Sequence, residues 1–306
     1  MTANLPFVAP LKHRRYHRRT MTIAVGFCVN DGILLAADRQ ITQGDLKTNA
    51  GKIDVWFDQD PNKDGETRGT LVITGAGDVH YLSAASLLLR DAFIRATPLT
   101  MLELRREFET ALRHFYEEQI IPFAKWRPED APDIALIIAA KRGDQYQMWV
   151  TERSSVLPTS KPSAVGAGAA MADSLFQSGY FPIKSCNPVQ AQLIAAYVIF
   201  QAKQVMESCG QDTDMVFLPS SWPHLDRSMV REVEELFRRY QHLTGKGFHS
   251  LFGTRDGLNG TNLNEELRED IEYLLREYDL AGFIPSQLVA QRRSRRVLLS
   301  PPPSRG

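Results

Sequence analysis

The sequence predicts an α+β protein built as a four-layer α/β/β/α sandwich, with a helical extension at its C-terminal end. The order of elements is the first observation behind this prediction: strand pairs, two helices, further strands, two more helices and a closing strand. The second is that the helices carry apolar stripes and the strands are apolar, so the sheets must be covered on both sides. The third is length, because 306 residues are enough to bury a full core.

The first two strands form a predicted hairpin near the start of the chain. Ile23 to Val29 and Ile33 to Ala37 are apolar and partly β-branched. Between them, Asn30-Asp31-Gly32 is a strong turn signal, because glycine tolerates the positive φ that a tight turn needs. A third strand is predicted to open at Lys52, and the polar residues from Asp58 to Arg68 form a predicted loop.

The remaining predicted elements of this domain alternate between short apolar runs and helical periodicity. In chain order they are a strand from Gly69 to Ile73, a helix from Asp78 that Pro98 ends, a helix from Thr100 that fades near Pro122, strands from Asp133 to Ala140 and from Gln145 to Val150, helices from Ala169 to Gln177 and from Val189 to Ser208, and a strand from Asp214 to Leu218. Thr100 is the predicted N-cap of its helix, with Glu103 as the capping-box partner.

From residue 220 the chain becomes charged, and residues 220–290 are predicted to form a helical extension. Amphipathic helices are predicted from Ser228 to Leu243 and from Asn264 to Tyr278, with a glycine-rich loop from Gly245 to Gly260 between them. Residues 291–306 are basic and proline-rich, which predicts a disordered tail. The helices either pack on the flank of their own domain or contact another subunit.

Residues 1–21 are predicted to lie outside the fold. They carry a basic run from Lys12 to Arg19 and lack the apolar segment of a secretory signal. Three interpretations remain open: a propeptide, a targeting arm, or a translation start assigned too early, which Met21 directly before Thr22 favours. His13 and His17 have the spacing of helical metal ligands, but arginines crowd them, so no metal site is predicted.

Composition argues against several classes of function. Lys and Arg number 36, as do Asp and Glu, so no global charge favours nucleic acid. Three cysteines make no disulfide framework and favour a reducing compartment, the cytoplasm. No apolar run reaches membrane-spanning length. Gly75-Ala76-Gly77 lacks the third glycine of a dinucleotide fingerprint, and no cofactor is predicted.

Three residues at strand ends make chemical sense as one site: Thr22, Asp38 and Lys52. A threonine hydroxyl is a poor nucleophile unless a base takes its proton. If Thr22 were the first residue of the mature chain, its own α-amine, with an ordinary pKa of about 7.7–8.0, could be that base. A lysine ammonium nearby would favour the neutral amine and polarise the hydroxyl, and a carboxylate would hold the lysine in place.

The order of these residues resembles the catalytic β-subunit of the proteasome and its simpler bacterial relatives, the N-terminal-nucleophile hydrolases. The resemblance covers Thr22 to Pro219, so residues 22–219 are the predicted domain. It implies that Gly75, which follows the strand Leu71 to Thr74, supplies an oxyanion-hole N–H. It also implies the sandwich fold, a peptide or unfolded-protein substrate, a homo-oligomer closed into a ring, and an ATP-dependent unfoldase as partner.

The sequence departs from this family at two supporting positions. A Gly-Ser-Gly turn of the family reads Gly166-Ala167-Gly168 here, so the serine hydroxyl is missing. An Asp-x-x-Ser-Gly segment has Met206 in place of its aspartate, with Glu207 one residue away. Gly166, Gly168 and Glu207 are therefore predicted to support the site without that serine and that aspartate.

Three functions are compatible with these residues. The favoured one is a threonine-type peptidase acting inside an oligomer. The second is an N-terminal-nucleophile amidase that acts on a small amide, because a fold does not determine the substrate. The third is a non-catalytic scaffold subunit, which the two departures favour.

Overall fold

The protein is a mixed α/β structure whose sheets are antiparallel. The computed structural model describes residues 22–29, 32–43, 46–59, 67–96, 100–126, 131–178, 186–218 and 226–252. Residues 1–21 and 291–306 lie outside these ranges, as do the turn residues Asn30 and Asp31, Pro98, and the helix predicted from Asn264 to Tyr278. The division into residues 1–21, 22–219, 220–290 and 291–306 stays a prediction.

Strands and helices follow one another in the predicted alternation. The strands are β1 (Ile23–Val29), β2 (Gly32–Asp38), β3 (Gln40–Gln43), β4 (Leu46–Asn49), β5 (Ile53–Gln59), β6 (Thr67–Gly77), β7 (Ile134–Arg142), β8 (Gln145–Glu152), β9 (Ser155–Thr159), β10 (Ser163–Gly166) and β11 (Thr213–Leu218). The helices are α1 (Val79–Arg95), α2 (Met101–Phe115), α3 (Ile121–Trp126), α4 (Ala169–Gln177), α5 (Pro188–Val205) and α6 (Arg227–Phe252). A π-helical turn, Tyr116–Ile120, joins α2 to α3.

The strands form two larger sheets and one small hairpin. One sheet has the order β10-β1-β2-β11, the other has the order β5-β6-β7-β8-β9, and β3 pairs with β4. Each neighbouring pair of strands is antiparallel. Since β1 and β2 run in opposite directions, the start of β1 and the end of β2 meet at one edge.

Buried apolar side chains form three clusters. The first joins β1, β2 and β11 to α5, through side chains such as Phe27 and Ile199. The second joins the five-stranded sheet to α1 and α2, where Phe108 stacks edge-on against Trp149. The third is made of residues from both sheets, Leu35 and Ile137 among them. Each of the two large sheets therefore contributes side chains to two clusters.

Several predicted elements are confirmed. α4 has the predicted bounds, Ala169–Gln177. Thr100 caps α2, and its hydroxyl accepts from the backbone N–H of Glu103 while the Glu103 carboxylate accepts from the N–H of Thr100, as in a capping box. α5 begins one residue earlier than predicted and ends at Val205, three residues before Ser208.

Other elements differ from the prediction. The strand after Lys52 is the fifth, because the β3–β4 hairpin lies between it and β2. Helix continues past Pro122, because the π-helical turn Tyr116–Ile120 directly before it rearranges the backbone hydrogen bonds. α6 runs through Gly245 to Phe252, so the loop predicted from Gly245 is wrong over these residues. The edge strand β9 contains Pro158, which masks its strand signal but is compatible with an edge.

Candidate active site

The strand order brings three of the sequence-predicted residues to one point. Thr22 directly precedes β1, and Asp38 is the last residue of β2. The register that pairs Ala24 with Ala37 puts these two ends side by side. Lys52 directly precedes β5, and the β3–β4 hairpin returns the chain to it.

Thr22, Asp38 and Lys52 are in mutual hydrogen-bond contact. The Thr22 hydroxyl donates to Asp38 Oδ1 at 2.5 Å. Lys52 Nζ donates to the same carboxylate oxygen at 2.8 Å and also to Thr22 Oγ1. The Asp38 side chain is 0% exposed and that of Lys52 is 7% exposed, so the ion pair is screened little by water.

The Asp38 carboxylate is held by backbone as well as by side chains. Oδ1 accepts from the N–H of Ile23 at 3.0 Å, while Oδ2 accepts from the N–H groups of Gln40 at 3.2 Å and Gly210 at 3.1 Å. These contacts fix the carboxylate in one orientation, towards Thr22 and Lys52.

Lys52 is a lysine whose charge is disfavoured by its surroundings. Burial lowers its pKa from the ordinary value, and this effect exceeds the opposing attraction and hydrogen bond of Asp38. The positive charge of Lys203 lowers the pKa of Lys52 further. Lys52 therefore gives up a proton more readily than a surface lysine.

The turn Gly166-Ala167-Gly168 lies directly against Thr22. Gly166 is the strand partner of Ile23 and has φ +99°, where a side chain is strained. A Cβ on Gly166 would lie 2.2 Å from the Thr22 carbonyl oxygen, and one on Gly168 would lie 2.8 Å from Ile23 Cδ1. The half-buried Ala167 between them brings a methyl group and no hydroxyl to this place.

Gly75 lies in β6, directly after Thr74. Thr74 pairs with Ile53, the residue directly after Lys52. On its other side Gly75 pairs with Leu136, whose N–H donates to Thr151 Oγ1 of β8, away from β6. In such an antiparallel pair both residues point their N–H groups away from each other. The Gly75 N–H therefore points away from β7, towards the edge where Lys52 begins β5.

The loop after α5 reaches the site through its backbone, not through the Glu207 side chain. Glu207 is exposed, and its carbonyl accepts hydrogen bonds from Gln40 Nε2 at 2.9 Å and Lys47 Nζ at 3.0 Å. Cys209, which the sequence does not single out, is buried near Asp38 and Lys52. Burial, together with the charge of Asp38, raises the pKa of the Cys209 thiol to about 12, so this thiol stays protonated.

The described residues hold neither a metal-ligand cluster nor a membrane-spanning helix. Among the described residues, no three His, Cys, Asp or Glu side chains are grouped so that they could hold a metal ion. None of the helices within the described ranges is long and apolar enough to cross a membrane.

Solved structures with a similar fold include Anbu proteins. An Anbu (Gly-1) mutant from Hyphomicrobium sp. strain MC1 is 12% identical, with a TM-score of 0.57 over 78% of this chain and 99% of that one. Anbu (ancestral beta-subunit) from Yersinia bercovieri is 13% identical, with a TM-score of 0.56; the match covers 78% of this chain and 100% of that one. The helical assembly of the Anbu complex from Pseudomonas aeruginosa gives 13% identity and a TM-score of 0.57; the match covers 78% of this chain and 99% of that one.

These likenesses show a shared fold and correct the family named from the sequence. No protein-family model and no curated protein matches the chain. The bacterial-type proteasome β-subunit is the wrong specific assignment, because the similar structures reported above are Anbu proteins. Thr, Asp and Lys at three strand ends make too short a pattern to specify one family.

Proposed function

We propose that the chain is a threonine-type peptide hydrolase whose nucleophile is Thr22, exposed as the first residue of the mature chain. One observation carries this proposal: the Thr22 hydroxyl, the Asp38 carboxylate and the Lys52 amine meet in one buried hydrogen-bonded cluster. A hydroxyl that touches both a cation and a carboxylate is poised to lose its proton as it attacks a carbonyl carbon.

The reaction would run in two balanced halves. Thr22 Oγ attacks the carbonyl carbon of the scissile amide, while the Thr22 α-amine takes the hydroxyl proton and passes it to the leaving amine. The C–N bond breaks and an ester to Thr22 forms. Water then attacks the ester and gives a proton back to Thr22 Oγ, releasing a carboxylic acid. Lys52 stabilises the developing negative charge on Oγ, and Asp38 holds Lys52.

Gly75 is proposed to stabilise the oxyanion of this reaction. The direction of its N–H, towards the β5 edge beside Lys52, supports this role. Donors fixed in place before the reaction stabilise a developing charge without reorganisation. Gly166 and Gly168 are proposed to leave room for Thr22, since any side chain there would collide with Thr22 or Ile23.

We also propose that residues 22–219 form a four-layer α/β/β/α sandwich around this site. Support comes from the three apolar clusters, of which the third holds residues of both large sheets. A Cβ on Gly26 of β1 would lie 2.7 Å from Met148 Sδ of β8, so the two sheets approach closely there.

A homo-oligomer is the proposed working form. A free threonine amine beside an activated hydroxyl would endanger other proteins unless subunits enclosed it, and the Pseudomonas aeruginosa Anbu complex is described as a helical assembly. Folded substrates would then need an ATP-dependent unfoldase. Cys28, Cys186 and Cys209 form no disulfide within the described part of the chain, which favours a reducing compartment, the cytoplasm. Light scattering at micromolar concentration should give a mass of several subunits, and a monomer would contradict this assembly.

The test of the nucleophile needs a defined N-terminus. A ubiquitin fusion cleaved directly before Thr22 gives the free amine, and the matched control retains Met21. The chain that begins at Thr22 should hydrolyse fluorogenic peptides and form an ester with a threonine-directed β-lactone, mapped to Thr22 by mass spectrometry. Thr22→Ser should keep part of the activity because it keeps both hydroxyl and amine, whereas Thr22→Ala should have none.

Three outcomes would overturn the proposal. If Thr22→Ala cleaved peptides as fast as the parent, Thr22 would not be the nucleophile. If protein from the native host retained residue 21, Thr22 would have no free α-amine to act as the base. Hydrolysis of small amides but of no peptide would assign the small-amide reaction instead.

The second candidate function is a non-catalytic assembly subunit. Ala167 favours it, because the turn against Thr22 offers no hydroxyl to move a proton. Labelling of Thr22 without turnover of any amide would support this function.

A further inference from the structure

Helix α6 is joined to the rest of the protein by a second buried polar cluster. Lys203 Nζ of α5 donates to Thr213 Oγ1 and to Glu234 Oε1, both at 2.7 Å, and the Thr213 hydroxyl donates to the same Glu234 oxygen at 2.7 Å. The Lys203 and Glu234 side chains are 8% and 11% exposed. We propose that α6 is a positioning element of the candidate site, in which Glu234 holds Lys203 and Thr213 behind Asp38 and balances the charge that Lys203 brings close to Lys52.

The first step of this inference is the register of β11 on β2. Thr213 is the direct cross-strand partner of Asp38. Side chains that face each other across an antiparallel pair lie on the same side of the sheet. The cluster around Thr213 is therefore the immediate neighbour of the Asp38 carboxylate, and Glu234 is the only member of that cluster contributed by α6 among the described residues.

The second step is the charge around Lys52. The ionisable groups that act on it are Asp38, Cys209 and Lys203. The Lys203 charge disfavours the Lys52 ammonium, while Asp38 favours it. The Lys203 charge thus acts against the Lys52 ammonium, and a carboxylate beside Lys203 would offset that effect.

Lys203 has that carboxylate in Glu234. Its other charged neighbour is Asp212, whose own pKa is lowered to about 2 chiefly by Arg231 and only slightly by Lys203. Glu234 is the closer partner, since it forms an ion pair with Lys203 at 2.7 Å. If α6 leaves, the Lys203 charge near Lys52 loses this compensation.

A further contact of α6 reaches, through Asp214, the residue that follows Asp38. Asp214 lies between Arg227 of α6, at 2.6 Å, and Arg39, with which it forms a close ion pair. Arg39 also exchanges backbone hydrogen bonds, donating to Asp212 and accepting from Ala50. α6 therefore braces the chain directly after Asp38.

A matching contact reaches the approach to Lys52. Asp212 accepts two hydrogen bonds from Arg231 of α6, each 2.7 Å, and one of its oxygens lies 3.5 Å from Asn49 Nδ2. Asn49 ends β4, three residues before Lys52. Both ends of the β3–β4 segment that joins Asp38 to Lys52 are thus tied to α6.

The test measures the pKa of Lys52 directly in the full chain. Lysine labelled with ¹³C at Cε gives one NMR signal per lysine, and Lys52→Arg identifies the signal of Lys52. Glu234→Gln keeps the size of the side chain but removes its charge, so the Lys52 pKa should fall by about half a unit or more. Glu235→Gln is the matched control, because Glu235 is the next residue along α6 and pairs with Arg238 on the outer face of the helix.

A second variant tests the charge of Lys203 itself. Lys203→Met removes a positive charge near Lys52, so the Lys52 pKa should rise, opposite to the fall expected in Glu234→Gln. Should Glu234→Gln fail to fold, Glu234→Asp retracts the carboxylate and should lower the Lys52 pKa by a smaller amount. An unchanged Lys52 pKa in a folded Glu234 variant, or a fall of that pKa in Lys203→Met, would overturn the proposal.

The effect on turnover rests on the proposed function, whereas the NMR measurement does not. With a fluorogenic peptide, Glu234→Gln should lower kcat about 2- to 30-fold and leave KM unchanged, because Glu234 acts through Lys203 and Thr213 on the Asp38–Lys52 pair. A shift of the Lys52 pKa in a chain without turnover would keep the positioning role and reject only the hydrolase. Loss of activity with an unmoved Lys52 pKa would reject the positioning role.

Discussion

Lys52 Nζ lies 2.8 Å from Asp38 Oδ1, in a pair whose two side chains are almost fully buried. Burial of an ammonium is costly, and the attraction of one carboxylate does not fully offset it here, since the pKa of Lys52 stays below its ordinary value. Asp38 is better satisfied, because it also accepts three backbone N–H groups. The two partners therefore differ in what their removal should do.

Lys52→Met should slow catalysis strongly while the protein still folds. Asp38 keeps its three backbone donors, so the free energy of unfolding should fall by about 1.5–3 kcal/mol, as for one lost hydrogen bond to a charged group. Turnover should fall by about 10²–10³, the usual loss when one donor that stabilises developing charge is removed. Urea unfolding and peptide hydrolysis measure the two effects.

Lys47→Met is the matched control for this substitution. Lys47 is exposed on the β3–β4 hairpin and donates only to the Glu207 carbonyl among its described contacts. Its loss should leave turnover within about twofold, because surface contacts contribute little. If Lys47→Met were as inactive as Lys52→Met, a general effect on the hairpin would replace the specific role of Lys52.

The lowered pKa of Lys52 predicts a stability that rises with pH in alkaline solution. Between the folded-state pKa and the unfolded value of 10.5, the unfolded chain binds the proton that folded Lys52 has lost. Stability increases with pH wherever the unfolded state holds more protons. The free energy of unfolding of the parent, minus that of Lys52→Met, should therefore grow as pH rises towards 10.5; a difference that stays flat would contradict the lowered pKa.

Gly166→Ala should disable the site by moving Thr22. The new Cβ would lie 2.2 Å from the Thr22 carbonyl oxygen, at a φ of +99° that L-residues rarely adopt. Strain of this kind costs about 1–3 kcal/mol, and relief by a shift of Thr22 would separate the hydroxyl from Lys52. The rate of covalent labelling of Thr22 should fall together with turnover.

Gly143→Ala separates backbone strain from this collision. Gly143 also has a positive φ, +53°, but a Cβ there would meet nothing within 4 Å. It should cost about 1–2 kcal/mol of stability for the left-handed conformation and leave labelling of Thr22 unchanged. Equal loss of labelling in both variants would show that the collision at Gly166 is not the cause.

The sequence predicts the part of the site that depends on local pattern. Thr22 and Asp38 follow from an apolar hairpin, since a clear turn fixes which strand ends meet. Lys52 follows from the next strand start. Gly210 cannot be predicted in this way, because only the folded chain brings its N–H to Asp38 from 172 residues away.

The features that the sequence does not predict depend on contacts between residues far apart in the chain or on an override of local preference. β3 and β4 are short and polar, and they exist because Arg39 and Ala50 close the segment by a backbone hydrogen bond. The continuation of α6 through Gly245 overrides a local preference against helix. Glu234 is one of many charges on an amphipathic helix, and its partner Lys203 lies 31 residues earlier, so no local pattern separates it from exposed neighbours.

Ala167→Ser should raise turnover, because it returns a hydroxyl to the turn that packs against Thr22. Gly166 and Gly168 on either side both contact the Thr22–Ile23 segment, and half-buried Ala167 contributes only a methyl group. A serine hydroxyl there could relay the proton of the Thr22 α-amine. Since a positioned proton-transfer partner contributes about 10²–10⁴ in rate, kcat should rise towards this range, by more than KM falls.

The paired assay compares the parent and Ala167→Ser on one fluorogenic peptide panel, with both chains beginning at Thr22. Ala170→Ser is the matched control, because Ala170 is exposed in the first turn of α4, and a hydroxyl there should leave kcat unchanged. Faster turnover in Ala167→Ser alone would show an enzyme that works with a reduced proton relay. An unchanged kcat would mean that no hydroxyl at this turn reaches the Thr22 amine, and the supporting role of Gly166-Ala167-Gly168 would then be steric alone. Covalent labelling of Thr22 without turnover in either protein would instead favour the non-catalytic subunit, because the nucleophile would be present without a path for its proton to the leaving amine.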